Sequence, residues 1–297
     1  MKTLVTFFHV VRRDPFFLVC ALFLVAVVLM AFVGIHYTGY TYDQISSASL
    51  LPPSTQHLFG TDVNGRDLLT RTLFGAQISL YVAALGTVVS LAVGVSYGMI
   101  SGYAGGRVDN FMMRIVEIIY SLPTLVLVIV LVTTLEDRMA DLLRVMGLTW
   151  ITPRLVLIIG FLGLTQWLTM ARIIRGQVLV LKQQQFVQAS LALGQSHLQI
   201  LWKHLLPNLL GIIIVYLTLT IPAIMLDETF MSFLGVGLQA PLASWGTLIA
   251  DAASLINPIK LYWWTLLFPG GLMTLTLLAL NFLGDGLRDT LDPRVKK

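Results

Sequence analysis

Charge and sulfur are both scarce in this sequence. Of its 297 residues only 11% are Asp, Glu, Lys or Arg, and one is cysteine. A single cysteine closes no internal disulfide, so Cys20 reports nothing about an oxidising compartment and reads as a small buried hydrophobe. No G-x-x-x-x-G-K-[ST] phosphate loop occurs, and no lysine follows a glycine, so an ATP site of that kind is excluded. The five histidines, His9, His36, His57, His197 and His204, form no H-E-x-x-H pair and have no clustered carboxylates beside them. With no nucleophile elbow either, neither catalytic residues nor a metal site are expected. Basic residues are scattered singly and never interleave with aromatics, which argues against nucleic acid as a partner.

What the chain has in abundance is hydrocarbon. Apolar residues make up 57% of it and its mean hydropathy is +0.84, more apolar surface than one water-soluble core hides, so membrane lipid is its expected solvent. Runs of roughly 20 residues, enough for a hydrocarbon layer of about 30 Å, are predicted to span near 16–36, 78–101, 111–134, 153–174, 209–231 and 263–284. The first run follows Arg12 and Arg13 but ends in Gly34, Ile35, His36 and Tyr37, unlike a cleavage site, and is expected to stay as an anchor.

With the amino terminus placed in the cytoplasm, the inner segments hold Lys2, Arg12, Arg13, Arg107, Arg114, Arg172, Arg175, Lys182, Lys203, Arg288, Arg294, Lys296 and Lys297, which is 13 of the 19 basic residues. The outer segments hold Arg66, Arg71, Arg138, Arg144, Arg154 and Lys260. The positive-inside bias therefore puts both termini in the cytoplasm. The expected fold is an all-α polytopic membrane protein with six transmembrane helices. Its partition is an anchor helix and outer segment over 1–76, a membrane domain over 77–288 and a tail over 289–297.

Two hydrophilic stretches exceed simple turns, an outer one near 38–77 and an inner one near 175–208. In the inner one Phe186 to Leu193 suit a helix, and Gly194 offers a turn free of Cβ strain. Ser196 is then placed to cap a second helix with Leu198, Leu201, Trp202, Leu205 and Leu206 on one apolar face, before Pro207 and Asn208 break it. Periodicity alone leaves two interpretations open, an amphipathic hairpin on the membrane surface or a docking element.

The segment QASLALGQSHLQILWKHLLPN resembles the cytoplasmic loop of bacterial ABC-importer permeases, with Ala189, Gly194, Leu206 and Pro207 matching. Gln188 stands where that family usually has Glu, and Ser190 where it has Ala. In the outer stretch, FGTDVNGRDLLTRTLFGAQISL resembles the segment before the second helix in permeases of the dipeptide, oligopeptide and nickel importer family. There Gly60, Thr61, Asp62, Gly65, Arg66, Asp67 and Arg71 match, followed by Gly75, Ala76, Ser79 and Leu80. Read physically, Thr61 or Asp62 caps a turn, Gly65 takes an unusual backbone angle, and Asp67 pairs with Arg71 at i, i+4 on a short helix.

Similar matches follow in order. Gly105, Gly106, Asp109, Arg114 and Pro123 fit the link after the second helix, with Glu117 replacing a frequent Asp and spaced to pair with Arg114. The stretch Ser232 to Ile249 resembles an outer re-entrant loop, and Glu228 just before it also matches. Asp227 occupies a position that is usually small and apolar. Adjacent helical carboxylates point about 100° apart, so Asp227 and Glu228 suit a polar patch on a pathway rather than joint acid–base catalysis. Trp263 and Trp264 sit where interfacial aromatics are expected, and Asn281 to Arg294 resemble the family's carboxyl-terminal signature.

The resemblance implies the type I ABC importer permease fold and a transport subunit that is not itself an enzyme. It implies a second permease, two ATP-binding subunits carrying ATP and Mg, an extracytoplasmic substrate-binding protein and a bacterial inner-membrane location. The helix bearing Phe186, Gln188, Ala189, Ser190 and Leu193, with Gly194, Leu206 and Pro207, is then the element that couples to the ATPases, and Glu228 and Glu117 are candidates for lining the pathway. Di- or oligopeptides are the first cargo to expect and nickel complexes the second. A stand-alone channel or proton-driven carrier would need its own filter or proton relay, and the spans contain no chain of ionisable residues.

Overall fold

The computed structural model describes residues 15–257 and 260–291. Expectations resting on Lys2, Arg12, Arg13, Asp292, Pro293, Arg294, Lys296 and Lys297 lie outside the described residues. Helix α1 (Pro15–Phe32) leads through one 3₁₀ turn (Gly34–Tyr37) into an irregular segment, called outer, as the loop around Gly194 is called inner, after the charge bias expected from the sequence. Then follow α2 (Leu68–Ala104), α3 (Gly106–Tyr120), α4 (Thr124–Val145), α5 (Pro153–Leu181) and α6 (Gln185–Ala192). Helix α7 (His197–Ile200) runs through a π-turn (Leu201–Leu205) into α8 (Leu206–Phe233), and α9 (Trp245–Ser254) and α10 (Trp263–Leu291) complete the chain. Among the described residues, five helices are long and apolar enough to cross a membrane, or six if α3 and α4 are taken as one span.

That third span differs from the straight helix expected over 111–134: α3 and α4 meet at 85°. Pro123 explains the bend, because its ring lacks an N–H and pushes the preceding residue out of helical geometry. Helix α2 is also longer than expected. At 1.5 Å per residue its 37 residues extend about 55 Å, well over the roughly 30 Å of a hydrocarbon layer.

In lipid, burial of apolar side chains gives helices little reason to associate, so close backbone approach takes its place. Along α2, small residues recur every fourth position at Gly86, Ser90, Gly94, Gly98 and Gly102. This stripe lies against α5, the partner with which α2 shares its largest interface. A Cβ on Gly94 would stand 2.6 Å from Met170 Cβ, and one on Gly98 would stand 2.5 Å from the Ala171 carbonyl oxygen. Gly163 on α5 reciprocates, with Gly86 O 2.6 Å from the place of its missing Cβ.

Around this seam one buried cluster joins Ile78, Val82, Val128, Ile158, Leu162 and Ile224 in the outer half. A second, at the other end, joins Val95, Met99, Ile174 and Val178 to Val187, Ile200 and Leu205. The short helices of the inner loop therefore belong to the same core as α2 and α5. Helix α1 packs on α2 and α10 and leaves Phe16, Val19, Leu22, Val25 and Leu29 exposed, as a lipid-facing anchor would. Cys20 is buried on it.

The candidate coupling bend and the outer clamp

The inner loop folds as two helices with a sharp corner. Helix α6 stops where Gly194 takes a φ of +77°, a conformation that L side chains rarely adopt. Ser196 starts α7 with a reciprocal capping box: its hydroxyl accepts from the Gln199 N–H, and the Gln199 side chain accepts from the Ser196 N–H, each at 3.3 Å.

Pro207 does not break the second helix, contrary to expectation. The preceding turn widens, so that the Leu206 N–H reaches back five residues to Leu201 O and leaves room for the proline ring. Asn208 Nδ2 donates to His204 O at 2.6 Å, supplying a side-chain donor to the widened turn. Helices α7 and α8 consequently form one continuous rod from His197 to Phe233.

The apolar face differs in part from the expected one. Leu205 is fully buried as expected, but so is Ile200, whereas Leu198 and Trp202 are exposed. Together with Phe186 and Leu193 they form an apolar surface around the corner, Leu193 being 81% exposed. On the inner side of α6, Val187 and Ser190 are buried. The Ser190 hydroxyl donates to Phe186 O (2.8 Å) and lies 3.3 Å from His204 Nε2, which is 2.8 Å from Gln195 Oε1. Gln188 Nε2 donates to Lys182 O (2.9 Å), an internal brace in the place where the resembled family carries a charge. Ala189 is exposed.

Beside this corner two polar links join the spans to one another and a third reaches the corner itself. The Asp109 carboxylate accepts from Arg175 Nε (2.5 Å) and Nη2 (2.6 Å) and from Ser101 Oγ (2.5 Å), binding α2, α3 and α5 together. Lys182 Nζ donates to Gly102 O at 2.8 Å, and the Tyr103 hydroxyl meets His197 Nδ1 at 2.7 Å.

At the opposite end, the residues Gly60 to Arg71 are drawn into one clamp. Asp62 accepts from the backbone N–H groups of Asn64 (2.8 Å) and Arg66 (2.9 Å), from Arg66 Nε (2.7 Å) and from Arg71 Nη1. Gly65 turns at φ +70° against the Ser46 carbonyl, where any Cβ would collide. The expected Asp67–Arg71 pair does not form. Asp67 is the N-cap of α2, accepting from Thr70 N and Thr70 Oγ1 (both 2.8 Å), and also meets His57 Nδ1 at 2.9 Å. Arg71 turns to Asp62 because its side chain leaves α2 on the loop side.

The Thr61 carbonyl accepts from the indole of Trp264, a residue expected at the interface and found buried. Burial pushes the Asp62 carboxyl up, but the Arg66 N–H and the Arg71 and Arg66 charges outweigh it and hold the group below its ordinary value of 3.8. Its stabilising contribution is therefore complete above that value and lost as pH falls through the lower folded one. Removing the charge by Asp62→Asn is expected to cost about 3 kcal/mol, since buried Arg66 loses its counter-ion and buried Arg71 keeps only the more distant Asp251, at 3.9 Å. Thermal unfolding of the detergent-solubilised protein at neutral pH measures it.

The four acidic residues singled out in the sequence take different places. Glu228, expected on a pathway, is 1% exposed and accepts from Ser244 (2.6 Å), Ser232 (2.8 Å) and Ser79 (3.4 Å), tying α8, α9 and α2 inside the protomer. Glu117 meets Arg114 at 3.4 Å as spaced, but both side chains are exposed, so the pair contributes at most about 1 kcal/mol. Asp227, one residue before Glu228, points elsewhere and meets Gln166 Nε2 at 2.9 Å. Asp109 anchors the inner brace. The small-residue stripe of α2 was missed from sequence, although its every-fourth-residue spacing is visible there.

Residues 94–297 match the family described as binding-protein-dependent transport system inner membrane component. The chain belongs to this family. It is 47% identical to the dipeptide transport system permease protein DppC of Bacillus subtilis over 83% of this chain and 72% of that one. It is 41% identical to the oligopeptide transport system permease protein OppC of the same organism over 96% of this chain and 88% of that one. Against OppC of Escherichia coli the identity is also 41%, over 91% and 84%. A chain of the methionine ABC transporter MetNI, solved in inward-facing conformations, superposes with a TM-score of 0.52 at 17% identity, covering 76% of this chain and 96% of that one. The architecture is thus that of an ABC importer permease, a transport subunit whose ATP hydrolysis belongs to other subunits.

Proposed function

We propose that this permease forms one half of a translocation pore for di- or oligopeptides, paired with a second permease and driven by two ATP-binding subunits. The observation that carries the proposal is the Gly194 corner. It presents Phe186, Leu193, Leu198 and Trp202 outward while its inner side shares a core with α2 and α5 and is tied by His197 to Tyr103 of α2 and by Gln188 to the Lys182 carbonyl at the end of α5. An exposed apolar surface on so well anchored an element suits docking to a partner, and the ATP-binding subunits are the partner proposed. The names of the relatives support peptides as cargo, and the description of the family supports a binding protein as its source.

In this scheme both termini face the cytoplasm, ATP and Mg are held by the partner subunits, and closure of the ATPase pair pushes the corner. Helix α5 leads into α6 through three residues and α7 continues into α8, so a displacement there tilts both spans and alternates access to the shared cavity.

Proteoliposomes holding the full assembly decide the matter. Uptake of a labelled tripeptide is expected only with ATP and the binding protein present. Solute flux through this chain alone without ATP, or uptake of a nickel chelate in place of peptide, would overturn the assignment.

A further inference from the structure

Asp227 lies about two turns from the carboxyl-terminal end of the long apolar helix α8, yet its carboxylate has no cationic partner among the described residues. Its neighbour Glu228 is sealed by three serine hydroxyls. Asp227 instead borders a cavity of about 400 Å³ between α3, α4, α5 and α8. The neutral amide of Gln166 donates to it at 2.9 Å, which orients the carboxylate without neutralising it.

The same cavity carries a polar stripe along α5. Thr165, Gln166 and Thr169 line it, and the Tyr120 hydroxyl meets Thr169 Oγ1 at 2.5 Å. Arg172 continues the stripe, its guanidinium 4.0 Å from the centroid of the Tyr120 ring. From Gln166 to Arg172 is six residues, about 9 Å along the helix axis. The stripe therefore has a negative end at Asp227 and a positive end at Arg172.

We propose that Asp227 and Gln166 form a subsite on the translocation pathway for the ammonium group of the cargo, with Arg172 facing the opposite charge of an extended zwitterion. The subsite rests on the peptide-import proposal above and adds to it the group recognised. A carboxylate in a span is stabilised by any cation that reaches it, and an unblocked peptide carries one at its amino end near neutral pH. The amide of Gln166 keeps the carboxylate oriented between transits, when no cation is present.

The complete transporter in proteoliposomes, with the binding protein saturated, tests this using trialanine and N-acetyl-trialanine. A charge-assisted bond of this kind is worth about a factor of ten, so Asp227→Asn is expected to lower the ratio of trialanine to N-acetyl-trialanine uptake about tenfold, and Asp227→Glu to restore most of it. An unchanged ratio, with both uptakes equal to wild type or both reduced alike, overturns the subsite. So does loss of the co-purifying second permease from the Asp227→Asn assembly, which would assign the missing cation to that subunit. A wild-type assembly that takes up neither peptide would refute peptide import itself, and the subsite with it.

Discussion

Gly194→Arg is expected to reduce ATP-driven uptake by the assembled transporter to background, at least about a hundredfold, while the chain still inserts and folds. The local cost is limited: an L residue at this left-handed angle is strained by about 1–2 kcal/mol. Among the described residues no heavy atom other than those of its chain neighbours lies within 4 Å of the place where the Cβ would stand, so the side chain starts into open space. It would add an unpaired charge to a corner whose exposed residues include Leu193, Leu198 and Trp202, which the proposed docking would bring into an apolar contact.

Gly194→Ala separates the two effects, since it carries the same backbone strain and almost no bulk. It is expected to keep most of the uptake. Comparing uptake, cargo-stimulated ATPase activity and thermal stability across the two variants checks the claim. Wild-type uptake by the arginine variant would show that the corner touches no ATPase.

Gly98→Val is expected to prevent stable folding altogether. The new Cβ would fall 2.5 Å from the Ala171 carbonyl oxygen and 2.9 Å from Ile174 Cβ. The first is backbone of the facing helix, so relief requires α2 and α5 to separate along their whole seam. Overpacking of a core costs about 1–3 kcal/mol when side chains can yield, and here the cost lies at or above the top of that range. The same seam carries Met99, Ile174 and Val178, which share a core with Val187 and Ile200 of the Gly194 corner.

Gly160→Ala on α5 is the matched control, because nothing lies within 4 Å of its missing Cβ. It is expected to accumulate in membranes as wild type does, whereas Gly98→Val accumulates at a few per cent of that level. Equal accumulation of the two would mean that the close approach of α2 and α5 does not hold the fold.

Much of the chain was legible because its strongest signals are local. Apolar run length set the spans, Gly194 and Ser196 marked the corner, and Asp62 with Gly65 marked a turn. Each of these depends on backbone chemistry within a few residues. Pro207 misled because a π-turn absorbs what a strict α-register cannot, and α-helical spacing put Leu198 and Trp202 beside Leu205 on the buried face, where Ile200 is found instead.

The sequence by itself determined a helical membrane chain, the order of its spans and the position of its inner corner, since hydrophobic length and turn chemistry act along the chain. Only the tertiary structure decided that Arg71 answers Asp62 and not Asp67, that Glu228 is sealed while Asp227 borders a cavity, and that the glycines of α2 are a seam. Those outcomes depend on which helices become neighbours. The partners come from segments as far as 149 positions apart, as in the bond from Ser79 to Glu228, a relation that no local spacing encodes.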